Sequence, residues 1–147
     1  MNNLLRLEEL AQFLACLLFL SNSEVAWWAY ALLLIGPDVG MLGYIISRRV
    51  GAITYNLLHH KGLALSVVLA GIYFQWVEFI DWFIGNEASS VGETITIAGL
   101  ILYGHASMDR IFGYGLKFGD NFHHTHLGWI GKGKVSSGES KIGQRPS

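Results

Sequence analysis

Aspartate and histidine residues, which serve as metal ligands and as acid–base catalysts, recur in four separate stretches of this sequence. His105 and Asp109 are four residues apart, so they share one face if their segment is helical. Asp38 follows a Gly-Pro pair, His59 lies in VGAITYNLLHH, and His126 ends the run HHTH. Imidazole nitrogens and carboxylate oxygens are ligands for zinc, manganese and iron(II), and a catalytic site typically uses three of them. The residue types therefore predict a metal centre.

The predicted ligands of a divalent ion are His59, His105, Asp109 and His126. The candidate catalytic residues are Asp38, His105 and Asp109, with Asp38 as a further ligand or as the general base. A zinc, manganese or iron ion would lower the pKa of a bound water and polarise a scissile group. The spacing His-x3-Asp is common by chance, so the prediction of a metal site depends on several segments bringing ligands to the same depth in the membrane.

Two basic residues beside this set are candidates for substrate binding. Arg110 follows Asp109 directly, and Lys117 comes shortly afterwards. Their positive charges suit an anionic group such as a lipid phosphate. The favoured activity is therefore a metal-dependent hydrolase that acts on a lipid or on another anionic substrate.

The same polar residues also suit a structural role or a transport role. Asp38 beside Pro37 would accept the freed N–H groups of a restarted helix. His105 and Asp109 would form an interhelical hydrogen bond and an ion pair with Arg110, in a membrane protein that is structural or only binds a ligand. A proton-coupled transporter of a small solute would use Asp38, Asp109 and His105 as a relay, and would need a homo-oligomer to enclose its path.

The elements that must position these residues are apolar. The chain is 52% hydrophobic and 14% charged, and its mean hydropathy of +0.39 favours a bilayer over water as its solvent. Crossing about 30 Å of hydrocarbon takes about 20 helical residues. Four segments are apolar over that length: residues 5–22, 24–46, 62–84 and 93–115.

The distribution of basic residues predicts the orientation of these spans. All ten Lys and Arg residues fall on one side of the four predicted spans. By the positive-inside rule, both termini are then cytoplasmic. Aromatic residues at the opposite ends of the second and third spans suit the outer interface, among them Trp27, Trp28, Trp76 and Trp82. We therefore predict a multi-pass protein of the cell inner membrane with all six histidines on its cytoplasmic side.

The predicted fold is all-α, a polytopic membrane protein with four transmembrane helices. Residues 50–60 are too short to span and predict a cytoplasmic interfacial helix between the second and third spans. Residues 1–130 would form the transmembrane domain, and residues 131–147 a flexible cytoplasmic tail. Haem ligation is disfavoured, because only His105 lies well inside a predicted span.

Charge and cysteine content argue against other classes of protein. The net charge is −1 and no basic run with interleaved aromatics precedes the tail, so nucleic acid is not an expected partner. Cys16 has no second cysteine with which to form a disulfide. The first apolar run follows Glu8 and Glu9 and lacks a cationic leader, which favours a retained helix over a cleaved signal peptide. The expected partners are the lipid bilayer and an anionic small molecule or lipid.

The stretch MDRIFGYGLKFGDNFHHTHLG, residues 108–128, resembles the signature of a family of small bacterial integral membrane proteins, domain of unknown function 4260. That signature also includes an Asp after the break in the second helix, matched by Asp38, and a Tyr-Asn-Leu element followed by a His, matched by Tyr55, Asn56 and His59. The resemblance covers roughly residues 30–130 and departs from the family pattern inside HASMDR and FHHTHLG. It implies a site shared within the family, and brings no established activity. The positions that match are His105, Asp109, Arg110 and His126.

Overall fold

The structure is a computed structural model that describes residues 3–86 and 89–130. Within those ranges the chain forms five α-helices, one 3-10 helix and two short strands, which confirms the prediction of an all-α chain. The predicted tail, residues 131–147, lies outside the described residues. In chain order the elements are α1 (Asn3–Asn22), α2 (Trp27–Ile35), the 3-10 helix (Pro37–Ile45), α3 (Arg48–His59), α4 (Lys61–Phe83), α5 (Val91–Phe112), β1 (His124–Thr125) and β2 (Gly128–Trp129).

The second predicted span is broken into two helices. α2 and the 3-10 helix meet at Gly36 and Pro37 with a bend of 43°. Pro37 has no backbone N–H, and its ring clashes with a continuing α-helix, which explains the break. Because Pro37 opens the 3-10 helix, its missing N–H is tolerated there. The same proline leaves the carbonyl of Leu33, four residues earlier, without the donor that a continuous helix would supply.

Among the described residues, one helix alone and one bent pair of helices together are long and apolar enough to cross a membrane. α4 meets this criterion alone, with 23 residues that are mostly exposed in the structure. α2 and the 3-10 helix meet it together, as a bent pair. The described residues thus contain one possible membrane span, or two if the bent pair counts as one. These helices suggest a membrane protein, while the number of four spans stays a prediction.

Large apolar side chains cover the outside of α4. Leu69, Trp76 and Phe83 are 58%, 63% and 76% exposed. A helix that is apolar all round is normally buried in a protein core or in lipid. Since little of α4 is covered by the described protein, its apolar surface is consistent with a lipid environment.

α5 lies at the centre of the bundle and contacts α1, α2, α3 and α4. The buried core is formed by Leu20 of α1, Ala29 and Leu33 of α2, and Ile101 of α5. One turn after Ile101, the side chain of His105 is completely buried. Because α5 is central, it places His105 in the core and Asp109 one turn further towards the end of the bundle.

The 3-10 helix and α3 pack in close contact because glycine lines their interface. A Cβ atom at Gly40 would lie 2.8 Å from the carbonyl oxygen of Thr54, and one at Gly43 would lie 2.2 Å from the Thr54 hydroxyl. That hydroxyl donates a 2.6 Å hydrogen bond to the Gly40 carbonyl. The close approach fixes the 3-10 helix against α3.

The chain after α5 folds back over α3 as a small hairpin, residues 113–130, which we call the C-terminal hairpin. Gly113 ends α5 in the left-handed conformation with a φ of +89°, where a side chain would be strained. β1 and β2 pair antiparallel, and Lys117 forms a further bridge with Thr125. The C-terminal hairpin thereby brings the backbone of Lys117 against Asn56 of α3.

We expect Gly43→Ala to destabilise the protein by about 1–3 kcal/mol, because the added Cβ would overlap Thr54 and push the 3-10 helix away from α3. Thermal unfolding in detergent, followed by tryptophan fluorescence, measures the change. Gly119→Ala is the matched control, since its Cβ would meet only Arg49 at ordinary contact distances. Equal melting temperatures of the two variants would contradict the packing described above.

Candidate metal centre

Four residues from three elements converge at one point, and we call them the His–Asp cluster. Asp38 comes from the first turn of the 3-10 helix and His59 from the last turn of α3. His105 and Asp109 come from consecutive turns of α5. Each side chain offers one ligand atom, and all four atoms lie within 4.8 Å of one another. This group has the composition of a metal site.

The distances within the His–Asp cluster fit a small divalent ion. The two Nε2 atoms of His59 and His105 are 3.1 Å apart. The Oδ1 atom of Asp38 lies 3.6 Å from each of them. Asp109 places Oδ2 3.4 Å from His59 and Oδ1 3.9 Å from His105. An ion with tetrahedral ligands at about 2.0–2.2 Å separates those ligand atoms by about 3.3–3.6 Å, close to the spacing here.

The position of one proton on each imidazole follows from its backbone contact. The Nδ1 atom of His59 lies 2.8 Å from the carbonyl of Tyr55, and that of His105 lies 2.9 Å from the carbonyl of Leu33. A carbonyl oxygen only accepts hydrogen bonds, so each Nδ1 must carry a hydrogen and donate it. In the neutral rings both Nε2 atoms then present lone pairs to each other. A cation between them removes that repulsion.

The break at Pro37 supplies one of these carbonyls. In a continuous helix the oxygen of Leu33 would accept from the N–H of the residue at position 37. Proline lacks that N–H, so the oxygen is available to His105 across the helix interface. A hydrogen bond from the ring nitrogen that does not bind the metal fixes the tautomer and orientation of a metal-binding histidine.

Burial divides the His–Asp cluster into a closed side and an open side. The side chains of His105, His59 and Asp109 are 0%, 3% and 15% exposed, whereas that of Asp38 is 40% exposed. The pKa of His59 is lowered from its usual value, chiefly because burial penalises the charged ring. The neutral form is the one that binds metal. Solvent reaches the cluster beside Asp38.

Tyr55 orients two members of the His–Asp cluster. Its hydroxyl donates a 2.6 Å hydrogen bond to Oδ2 of Asp109. Its ring stacks on that of His59, one turn along α3, with ring centres 3.7 Å apart. The pKa of Tyr55 is raised, first by burial and then by the charge of Asp109, so the hydroxyl stays a donor. The sequence motif included Tyr55 but did not predict this role, although its i, i+4 spacing to His59 was a usable signal.

The adjacent Asn56 attaches the C-terminal hairpin to α3. Its side chain accepts from the backbone N–H of Lys117 at 2.7 Å and donates to the carbonyl of the same residue at 2.8 Å. Lys117 is 3% exposed. Burial lowers the pKa of its ammonium group, while the charges of Asp109 and Asp38 act in the opposite direction. Lys117, predicted to bind substrate, therefore lies buried on the side of both carboxylates.

Arg110, the other predicted substrate-binding residue, faces a different network. Its guanidinium lies 3.8 Å from a carboxylate oxygen of Glu9 in α1. Lys61 pairs with Glu9 and Gln12, and the hydroxyl of Tyr103 donates to Gln12 at 3.0 Å. The alternative ion pair of Arg110 with Asp109 is not formed, because consecutive helical residues point about 100° apart. The spacing of these residues in the sequence gave no sign of a network across α1, α4 and α5.

His126 is not brought to the His–Asp cluster. Its side chain is exposed, and its Nδ1 atom accepts a 2.8 Å hydrogen bond from the backbone N–H of Leu116. The imidazole thereby satisfies a backbone donor inside the C-terminal hairpin. The prediction that His126 joins the other ligands is thus wrong for its position, whereas Asp38, predicted as a further ligand or as the base, lies among them. Asp38 does not act as a helix cap in the described structure, where the N–H of Val39 bonds the carbonyl of Gly36.

Tyr55→Phe should weaken metal binding by about 10–100-fold, because Asp109 loses the bond that orients it while the stacked ring is kept. The measurement is a competition titration of the purified protein with a chelator and zinc or manganese. Tyr114→Phe, at an exposed position of the C-terminal hairpin, is the matched control. If both variants bind metal as tightly as the wild-type protein, Tyr55 does not orient a ligand.

Comparison with known proteins identifies a family but no characterised relative. Neither the curated proteins nor the solved structures give a match. The family described as a domain of unknown function, DUF4260, matches residues 2–130. That range includes every member of the His–Asp cluster and the C-terminal hairpin. The resemblance noted in the sequence motifs is confirmed, and the chain belongs to the DUF4260 family.

Proposed function

We propose that this protein is a multi-pass membrane protein whose His–Asp cluster binds one divalent metal ion and hydrolyses a lipid or another anionic substrate. One observation supports the proposal most directly: the Nε2 atoms of His59 and His105 lie 3.1 Å apart, while the Nδ1 atom of each ring donates to a backbone carbonyl. The lone pairs of the two Nε2 atoms therefore face each other. That arrangement is satisfied by a cation. Zinc, manganese and iron(II) are the ions that this mixture of imidazole and carboxylate suits.

Charge balance supports a divalent ion. The two imidazoles are neutral in the ligand form, and Asp38 and Asp109 together contribute two negative charges. A divalent cation neutralises them. At the edge of a bilayer a neutral centre costs less free energy than two unpaired carboxylates.

The exposure pattern supports catalysis at the side of Asp38. His59, His105 and Asp109 are the buried ligands and would hold the ion, which matches the three protein ligands of many catalytic sites. Asp38 borders the open side, where a water molecule has access. The ion would lower the pKa of that water, and Asp38 would accept its proton as the oxygen attacks the scissile group.

The proposed membrane arrangement keeps four spans, formed by α1, by α2 with the 3-10 helix, by α4 and by α5. Both termini would be cytoplasmic in the inner membrane, since all Lys and Arg residues then lie on one side. α3 would lie in the cytoplasmic interface, because its apolar residues Ile53 and Leu57 expose 67% and 58% of their surface. An amphiphilic substrate would reach the open side from that interface.

A structural role is the second candidate, and one observation favours it. The bond from His105 to Leu33 and the contacts of Asp38 with both histidines join α2, α3, α5 and the 3-10 helix. A proton shared by the two Nε2 atoms would remove the same repulsion without a metal. This candidate predicts a stable protein that contains no metal ion.

We expect the purified protein to contain about one equivalent of a transition metal, because one cluster offers four ligand atoms to one ion. Elemental analysis after dialysis without chelator measures it. His105→Ala should reduce the content below about a tenth of an equivalent, since a buried ligand is lost. His123→Ala, at an exposed position, is the control and should retain the metal.

A chelator provides an independent test that does not depend on the folding of a variant. Removing the ion should lower the melting temperature of the wild-type protein, and adding it back should restore the value. A metal content below a tenth of an equivalent that is the same in the wild-type protein and in His105→Ala would rule out the metal centre and leave the structural role.

Asp38→Asn should keep most of the metal and reduce hydrolysis by about 10²–10⁴-fold, because the amide cannot accept a proton from water. The assay is release of the head group or phosphate from a panel of anionic lipids and phosphate esters, in parallel with metal analysis. Loss of the metal together with activity would instead make Asp38 a required ligand. Unchanged turnover with the metal retained would show that Asp38 is not the base.

A further inference from the structure

The hydroxyl of Tyr44 is buried and has no hydrogen-bond partner among the described residues. Buried hydroxyl groups nearly always have one, so an orphaned donor calls for an explanation. Tyr44 lies at the end of the 3-10 helix, six residues after Asp38. A 3-10 helix has three residues per turn, which places Asp38 and Tyr44 on the same face. The orphaned hydroxyl therefore belongs to the face that carries a member of the His–Asp cluster.

Contacts with α3 fix the position of Tyr44 more closely. A Cβ atom at Gly51 would lie 2.2 Å from Cγ of Tyr44, so the tyrosine ring lies directly on that glycine. Gly51, Tyr55 and His59 follow one another at intervals of four residues and share one face of α3. The Tyr44 ring thus occupies the same face as Tyr55 and His59, about one turn before Tyr55.

A second group that can donate further hydrogen bonds, the ammonium of Lys117, lies on the same side as Tyr44. The ammonium group of Lys117 has three N–H donors, and one of them bonds the carbonyl of Phe122 at 3.2 Å. Its Nζ atom lies 3.7 Å from the ring centre of Phe122 and 4.7 Å from that of Tyr55. Within residues 3–86 and 89–130, no carboxylate oxygen lies within 4 Å of it. Lys117 therefore carries an unpaired positive charge beside the His–Asp cluster.

Phe122 connects the two donors. Its ring meets the ring of Tyr44 edge to face, with centres 5.2 Å apart, and the ammonium of Lys117 lies over the same ring. Phe122 is 38% exposed on the C-terminal hairpin, so the ring that contacts both donors also borders solvent. Tyr44 and Lys117 thus bring two hydrogen-bond donors to one partly exposed aromatic side chain.

We propose that Tyr44 and Lys117 bind the phosphate group of the substrate, and that the Tyr44 hydroxyl positions this phosphate against the His–Asp cluster. This inference rests on the proposed function. A divalent ion balances the charges of Asp38 and Asp109, so Lys117 leaves the site with one net positive charge. Donors without an opposing acceptor favour an oxyanion over a neutral group. A lipid head group and a soluble phosphate compound share this chemistry.

The test is a titration of inorganic phosphate into the manganese-loaded protein in detergent, followed by calorimetry. Tyr44→Phe removes the hydroxyl and keeps the ring, and should weaken phosphate binding about tenfold while the manganese content stays the same. Lys117→Met should weaken it further, because the charge is lost. Tyr114→Phe, which changes an exposed tyrosine of the C-terminal hairpin, should bind phosphate as the wild-type protein does.

The source of the phosphate is distinguished in nanodiscs of phosphatidylcholine with and without phosphatidic acid. If phosphatidic acid abolishes phosphate binding in the wild-type protein and less so in Tyr44→Phe, the ligand is a lipid head group. If phosphate binds equally in both discs and still depends on Tyr44, the ligand is a soluble phosphate compound. Either result supports the assignment of the two donors.

Two results overturn the inference, and they are distinguishable. If manganese binds but phosphate does not, or if Tyr44→Phe binds phosphate as tightly as the wild-type protein, the inference fails and the metal centre stands. If no transition metal binds to the wild-type protein, the proposed function fails and the inference fails with it.

Discussion

Two imidazole rings that face each other through Nε2 are the constraint on which the site depends. Their other nitrogens are committed to the carbonyls of Tyr55 and Leu33, so neither ring can turn its hydrogen towards its neighbour while both stay neutral. The arrangement needs α3 to end at His59 and α5 to carry His105 through the core. The fold of the bundle is therefore what holds two ligand lone pairs at one point.

The Gly-Pro-Asp element, residues 36–38, contributes to this constraint twice. Pro37 breaks the second predicted span and frees the Leu33 carbonyl that orients His105. The bend then allows the 3-10 helix to lie along α3, which carries Asp38 to the open side of the His–Asp cluster. One break in the helix thus supplies both the carbonyl that accepts a hydrogen bond from His105 and the candidate base Asp38. His105 pairs with the freed backbone carbonyl, and such pairing by a neighbouring side chain is what allows proline inside a membrane helix.

Local periodicity in the sequence predicts part of this structure, and tertiary contacts decide the rest. Hydropathy located the helices, and the convergence expected of Asp38, His59, His105 and Asp109 is present in the structure, while their roles as ligands or base stay predictions. The prediction failed at His126, because the direction of a side chain in a loop depends on the hairpin that forms around it. Tertiary contacts also decide which side chain pairs with a freed backbone carbonyl, so a local sequence pattern could not predict that Pro37 helps to orient His105.

Membrane location and metal binding, as proposed, depend on each other through electrostatics. Carboxylates near hydrocarbon are costly unless a partner compensates them, and no Lys or Arg side chain lies within 4 Å of Asp38 or Asp109 in the described residues. The nearest basic groups form no ion pair with them, since Arg110 faces Glu9 and the ammonium of Lys117, which lies on the side of both carboxylates, donates to the Phe122 carbonyl. Two carboxylates beside two neutral imidazoles, at the end of an apolar bundle, therefore form a stable arrangement most readily when a divalent ion joins them.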